Sequence, residues 1–171
     1  MNIILIGMPG AGKSTVGRIL ARRLDMTFVD TDDLIEARFG PLQDIIDRDG
    51  LDVFYRAEET VLTDLIVSES VVATGGSAVY SPAAMENLSK LGPIVWLKAS
   101  LESLAPRVGA MAGRGVARRR DQSLADLLAE REPLYQQYTR VTVDTDSNTG
   151  DEAAMKIADA LQRLDWEDKK K

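Results

Sequence analysis

The stretch "GMPGAGKST", Gly7 to Thr15, follows directly on the apolar run "NIILI" and decides the fold. It packs three glycines, a lysine and two hydroxyls into one short turn, where a strand gives way to a helical pattern. Gly7, Gly12, Lys13 and Ser14 match G-x-x-x-x-G-K-[ST] in that context. Glycine lets backbone wrap close around a ligand, and the freed N–H groups with the helix N-terminus form an anion nest. Gly7, Gly10, Ala11, Gly12, Lys13, Ser14 and Thr15 are therefore the expected ATP-binding loop. Lys13 is placed to reach the β- and γ-phosphates, and Ser14 to ligate Mg²⁺. A plain turn gives no reason for the lysine and hydroxyl to follow the glycines.

Working outward, short apolar runs alternate with longer helical patterns. Residues 2–7, 27–30, 71–75, 93–99 and 140–145 read as strands. They are continuously apolar, as in a parallel sheet covered on both faces. Val16, Ile19, Leu20 and Leu24 recur at helical spacing, as do Phe54, Val61, Leu62 and Leu65, and Leu124, Leu127, Leu128 and Tyr138. The alternation predicts an α/β domain with a parallel sheet and right-handed crossovers. The expected organisation is one domain over 1–165 and a frayed tail over 166–171. Residues 109–122, "GAMAGRGVARRRDQ", carry three glycines and four arginines with little periodicity and read as a mobile loop.

Composition narrows the chemistry. The 171 residues include no cysteine and no histidine, which excludes disulfides, thiol catalysis, serine–histidine triads and histidine-ligated zinc. Acid–base work falls to Asp, Glu, Lys or Tyr. A net charge of −6 argues against a nucleic-acid partner, whose binding surface is normally basic. The N-terminus lacks the basic start of a signal peptide, and no apolar run reaches the roughly 20 residues of a membrane span. The expectation is a cytoplasmic monomer with no membrane or nucleic-acid partner.

Three further places attract attention. Asp30 and Asp32 close the second apolar run in "DTDDLIE", at the strand end that lines the same crevice as the glycine loop. Asp30 suits Mg²⁺, and Asp32 suits an acceptor hydroxyl, orienting it and taking its proton. The competing reading is that Asp32 or Asp33 caps the following helix. Gly75 and Gly76 in "TGGS" permit close approach to a γ-phosphate or acceptor. Arg131 lies between Leu127/Leu128 and Leu134/Tyr135, on an apolar face where a charge needs a partner. A substrate carboxylate is one such partner, and an internal salt bridge is another.

With "GMPGAGKST", "DTDDLIE", "FYRAEE", "TGGS", an arginine-bearing lid and "REPLY" in hand, the chain resembles a shikimate kinase over nearly its whole length. The resemblance implies a P-loop kinase fold with a five-stranded parallel sheet and a mobile lid. It implies ATP and Mg²⁺, and γ-phosphoryl transfer to a hydroxyl of shikimate or a related small carboxylate-bearing hydroxy acid. Lys13, Asp32 and Arg114 correspond to catalytic residues, and Ser14 and Asp30 to the metal-associated pair. Arg107 corresponds to the adenine-stacking arginine, and Arg114 to the one that reaches the transferring phosphate. Asp32, Gly75, Gly76 and Arg131 correspond to acceptor-binding positions. Three departures fall on the acceptor side: Tyr55 replaces a substrate arginine, Ser77 the third glycine of a GGG loop, and "RGVA" (114–117) the usual "RPLL". Arg56, beside Tyr55, is turned about 100° around a helix from it. Tyr55 and Ser77 can accept hydrogen bonds from an ammonium group, which makes homoserine the alternative acceptor. A nucleotide kinase needs a base-recognition site where "DTDD" and the Arg131 helix stand. The reading of another class, a nucleotide switch or nucleic-acid-binding ATPase, rests on Arg118–Arg120 alone.

Overall fold

A computed structural model describes residues 1–111 and 115–168, with side chains described through residue 164. Five strands, β1 (Ile3–Ile6), β2 (Thr27–Asp30), β3 (Ser70–Ala73), β4 (Ile94–Lys98) and β5 (Val141–Asp144), form one parallel sheet in the order β2-β3-β1-β4-β5. The strands in the middle of the sheet are the continuously apolar ones. Every residue of β1 and β3 is buried, and β4 is buried from Ile94 to Leu97. Register pairs Ile3 with Val71 and Ile4 with Ile94, so β-branched side chains stack across the centre of the sheet.

Eight α-helices and one short 3-10 helix (Ala78–Tyr80) complete the described chain: α1 (Lys13–Leu24), α2 (Thr31–Phe39), α3 (Leu42–Asp49), α4 (Leu51–Thr63), α5 (Pro82–Leu91), α6 (Leu101–Gly109), α7 (Leu124–Tyr138) and α8 (Gly150–Asp168). The β1–β2 crossover runs one way across the sheet, and the later crossovers run the other. Right-handed crossovers then put α1 on one face and α4, α5 and α7 on the opposite one. The packing agrees: α1 lies against α8, and α4 against α5. The main core joins both layers to the sheet through Leu20, Leu62, Leu88, Tyr135 and Ile157. A second apolar cluster of Ile35, Leu42, Ile45, Phe54, Ala57, Val61 and Ala117 joins α2, α3 and α4 to the chain beyond α6.

Sequence expectation and structure agree on the sheet and on α1, α4 and α7. Helix α2 is the helix read after "DTDD", without bounds, and α3 has no counterpart in the sequence reading. Each ends on a glycine with positive φ, Gly40 and Gly50, and together they form a helical platform beside the site. Leu65 falls beyond the end of α4 yet stays buried. The backbone of α8 continues to Asp168, three residues into the stretch read as a tail. Among the described residues no helix is long and apolar enough to cross a membrane.

Candidate active site

The glycine loop leaves the carboxyl end of β1, where the strand order reverses and ligands of open α/β sheets bind. Gly7 has φ +146°, and a Cβ there would sit 2.5 Å from the Leu97 carbonyl oxygen, so the loop leaves the sheet only as glycine. No side chain caps the start of α1, which leaves its first N–H groups pointing at the loop's concavity. Lys13 folds back over the loop, donating from Nζ to the carbonyls of Gly7 (2.7 Å) and Met8 (2.9 Å). Burial pulls its ammonium down to about 8, against the opposing fields of Asp32 and Asp30.

The end of β2 meets this loop through one contact: Ser14 Oγ donates to Asp30 Oδ2 at 2.7 Å. The other oxygen of Asp30 accepts from the Asp32 N–H, so Asp30 is the residue that caps α2. The competing reading, in which Asp32 or Asp33 caps that helix, does not hold. Capping falls two residues before Asp32, because Asp30 still has extended backbone while Asp32 is already helical. Asp32 is free of that duty. Burial pushes its carboxyl up to about 6, with Asp30 adding to the rise and Lys13 opposing it.

The third wall is the turn after β3. A Cβ on Gly75 would collide with Glu58 Oε1 and lie 3.0 Å from Asp32 Oδ1, so any side chain there would have to displace the Glu58 carboxyl group. Tyr135 donates its hydroxyl to the Gly76 carbonyl at 2.6 Å and stacks on Trp96 of β4, which fixes the turn from the α7 side. Ser77 Oγ donates to Glu58 Oε2 at 2.6 Å. Burial pushes the Glu58 carboxyl up to about 7, and the Ser77 hydrogen bond opposes this.

Arg131 is completely buried, at 0% exposure. Its Nε donates to the Tyr80 hydroxyl at 3.0 Å and its Nη2 to the Ala117 carbonyl at 2.6 Å. The guanidinium carbon lies 5.0 Å from the centre of the Tyr80 ring. No carboxylate lies within salt-bridge distance of it among the described residues. The internal salt bridge weighed for this position is therefore absent there. Tyr80 in turn donates to Glu130, which also accepts from Gln122 at 3.0 Å and pairs with Arg119 at 3.6 Å. Arg119 of the Arg118–Arg120 run is thus paired at the protein surface.

A single cavity of about 510 Å³ gathers nearly all of these groups. Gly10, Ala11, Gly12, Lys13, Ser14, Thr15, Asp30, Asp32, Gly75, Gly76, Ser77, Arg107 and Arg131 all line it. Arg107 is drawn onto the glycine loop, donating to the Gly10 carbonyl at 3.2 Å. Gly7 does not line the cavity, and its part is the turn itself. Tyr55 does not line it either. It packs edge-on against Tyr80 (5.4 Å) and borders an adjoining hollow of about 170 Å³ shared with Ser77 and Glu58. Arg56 is exposed and bonds across one turn of its own helix to the Asp52 carbonyl, so it does not replace the missing arginine. Arg114 lies outside the described residues. Beyond it, the Gly115 N–H donates to Gln43 Oε1 at 3.1 Å, and Ala117 is buried among α2–α4 residues. The "RGVA" departure thus sits where a small residue fills an apolar seat.

Two groups escape the sequence reading. Thr145, Asn148, Thr149 and Gly150 close the end of the cavity beside Arg107, from the turn after β5. That turn, "DTDSNTG", carries the small polar residues of a strand end facing a ligand. Glu58 is the other. It stands four residues after Phe54 on the inner face of α4, and the spacing argument that singled out Arg131 applies to it equally.

Fold and site together define a P-loop kinase: a parallel sheet with a glycine loop and uncapped helix N-terminus at its centre and two carboxylates beside them. Comparison with known proteins refines that class. The family model for shikimate kinase matches residues 9–162. A curated shikimate kinase of Francisella tularensis subsp. holarctica is 38% identical over 165 residues, covering 94% of each chain. The solved shikimate kinase from Acinetobacter baumannii in complex with shikimate superposes with a TM-score of 0.87 at 33% identity, covering 95% of this chain and 93% of that one. The shikimate kinase from Aquifex aeolicus gives 0.81 at 28% identity, covering 95% and 96%. The chain belongs to the shikimate kinase family and is an ATP-dependent phosphotransferase of that type, with an alcohol as acceptor. Neither the homoserine alternative nor the nucleotide-switch reading is favoured by these comparisons.

Proposed function

We propose that the chain transfers the γ-phosphoryl group of ATP to a hydroxyl of shikimate, with Arg131 holding the acceptor's carboxylate. The observation that carries this reading is the buried guanidinium without a carboxylate partner. A charge taken out of water and left without an opposite charge is costly, and an anionic ligand supplies the missing partner. The Acinetobacter relative, solved with shikimate, supports the choice of acid.

The remaining roles follow from position. The glycine loop and the start of α1 cradle the phosphates, and Lys13 turns from its own loop carbonyls to the charge that develops on the transferring group. Asp32, raised to about 6 and still mostly ionised at neutral pH, takes the proton of the attacking hydroxyl. The hydroxyl oxygen bonds to the γ-phosphorus, the bond to the β-bridging oxygen breaks, and ADP leaves. Arg107 and the turn after β5 border the nucleotide end of the cavity. Residues 109–122 serve as the lid, and its closure excludes water that would otherwise hydrolyse ATP.

The donor set at the end of β2 fits Mg²⁺. Ser14 and Asp30 offer a hydroxyl and a carboxylate 2.7 Å apart, and this hard cation typically takes one or two protein oxygens together with substrate phosphates. When bound, it neutralises phosphate charge. We read the working protein as a cytoplasmic monomer without a nucleic-acid partner. The test is ADP release on addition of shikimate with ATP and Mg²⁺, and mass detection of the phosphorylated acid. Shikimate-dependent ADP release with the matching product supports the reading, and its absence at millimolar shikimate overturns it.

A further inference from the structure

Ser77 stands where the family pattern has glycine, and the structure constrains its hydroxyl unusually tightly. It is 4% exposed, lines the cavity between Gly76 and the hollow bordered by Tyr55, and gives its proton to Glu58 Oε2 at 2.6 Å. Glu58 is itself 2% exposed, and no lysine or arginine comes within salt-bridge distance of it among the described residues. Its other oxygen, Oε1, has no hydrogen-bond partner there. A serine hydroxyl has one proton and two lone pairs, so a hydroxyl whose proton is committed offers a ligand only lone pairs. Protonation of Glu58 does not release it. A proton on the unpartnered Oε1 leaves Oε2 free to go on accepting from Ser77.

We propose that Ser77, fixed in direction by Glu58, determines specificity by accepting a hydrogen bond from a group of the substrate other than the hydroxyl that is phosphorylated. The inference rests on the functional reading above and adds a third anchor to it. Arg131 takes the carboxylate, Asp32 the reacting hydroxyl, and Ser77 a second donor, either another hydroxyl or an ammonium. A carbonyl or ether oxygen at that point meets only lone pairs and is disfavoured. A glycine, with no side chain, makes no such distinction.

Ser77→Ala tests this, since φ is −94° there and alanine fits the backbone without strain. Wild type and variant are compared on shikimate and on its analogues lacking, one at a time, each non-reacting hydroxyl. A second pair, homoserine and 4-hydroxybutyrate, isolates an ammonium. For one member of these sets the wild type should lose roughly threefold to tenfold in kcat/KM when a hydroxyl donor is removed, and more when the donor is an ammonium. Ser77→Ala should show no such loss, with its KM for ATP unchanged. Ser77→Gly is run beside it and should behave like Ser77→Ala. The same loss in wild type and both variants for every analogue overturns the role of Ser77 and leaves the kinase reading intact. Absence of shikimate turnover in the wild type overturns the functional reading and, with it, this one.

Discussion

Arg131 Nη2 donates to the Ala117 carbonyl at 2.6 Å, tying a buried cation of the main cavity to the chain between α6 and α7. If Arg131 takes the acceptor carboxylate as proposed, the incoming acid would compete with or reorient that bond, which would link acceptor occupancy to the position of residues 115–121. Hydrogen exchange across 109–122 should slow when ATP and shikimate are both bound, and more than with either alone. Exchange independent of both ligands contradicts a lid.

Lys13→Ala should leave the fold intact and abolish turnover. The side chain's contacts are to carbonyls of its own loop, so its loss costs little packing, while the transferring phosphate loses its principal protein cation. Circular dichroism and the thermal midpoint check the fold, and steady-state ADP release checks the rate. A folded variant with near-normal turnover refutes the assignment.

Asp32→Asn should lower kcat by about 10²–10⁴ while changing the KM for ATP little. The pH profile supplies an independent readout. Asp32 must be ionised to accept a proton, and its value of about 6 in the free protein places the acid limb of wild-type kcat/KM for the acceptor there. Activity falls as pH drops through that value, and the limb should vanish in the variant. Unchanged kcat with weakened ATP binding assigns Asp32 to the metal instead.

Glu58 gives a prediction about stability. Its folded-state value of about 7 lies above the ordinary 4.5. Below 4.5 the group is protonated in both states and burial costs nothing, whereas above 7 it is ionised in both and the full cost is present. Wild-type stability therefore falls as pH rises from 4.5 to 7, by up to about 3 kcal/mol from this group. Asp32 adds a slope of the same sign between its ordinary 3.8 and about 6, and Lys13, at about 8, begins to lose its proton only at the upper pH and does so in both proteins. Glu58→Gln should remove only the Glu58 share. Urea unfolding of both proteins at pH 5 and 8 measures it, and a pH-independent difference refutes it.

How far the sequence reaches is clear from particular residues. The β1 loop and Arg131 are readable because each breaks a local rule: three glycines after an apolar strand, and a charge on an apolar helix face. Asp30 and Asp32 are readable as a pair, but their division of labour is not, since it depends on which residue is the first to turn helical. Glu58 offers the same signal as Arg131 but lies beside Glu59, so the eye takes the two as one solvated acidic run. Tyr55 reads from the chain as a direct replacement for an arginine. In three dimensions it packs against Tyr80 outside the main cavity, a consequence of how α4 meets the turn after β3. The turn after β5 closes the nucleotide end only through sheet order, which no local pattern encodes.

Arg131, buried and without a carboxylate partner among the described residues, is proposed to take the carboxylate of a hydroxy acid. This central claim is tested most directly by comparing kcat/KM for shikimate and for shikimate methyl ester, in the wild-type protein at fixed ATP and Mg²⁺. Removing the acid's charge leaves every protein contact and every hydroxyl in place. A charge-assisted hydrogen bond contributes roughly 1.5–3 kcal/mol, so the ester should be poorer by about one to two orders of magnitude. Equal specificity constants for acid and ester would contradict the account.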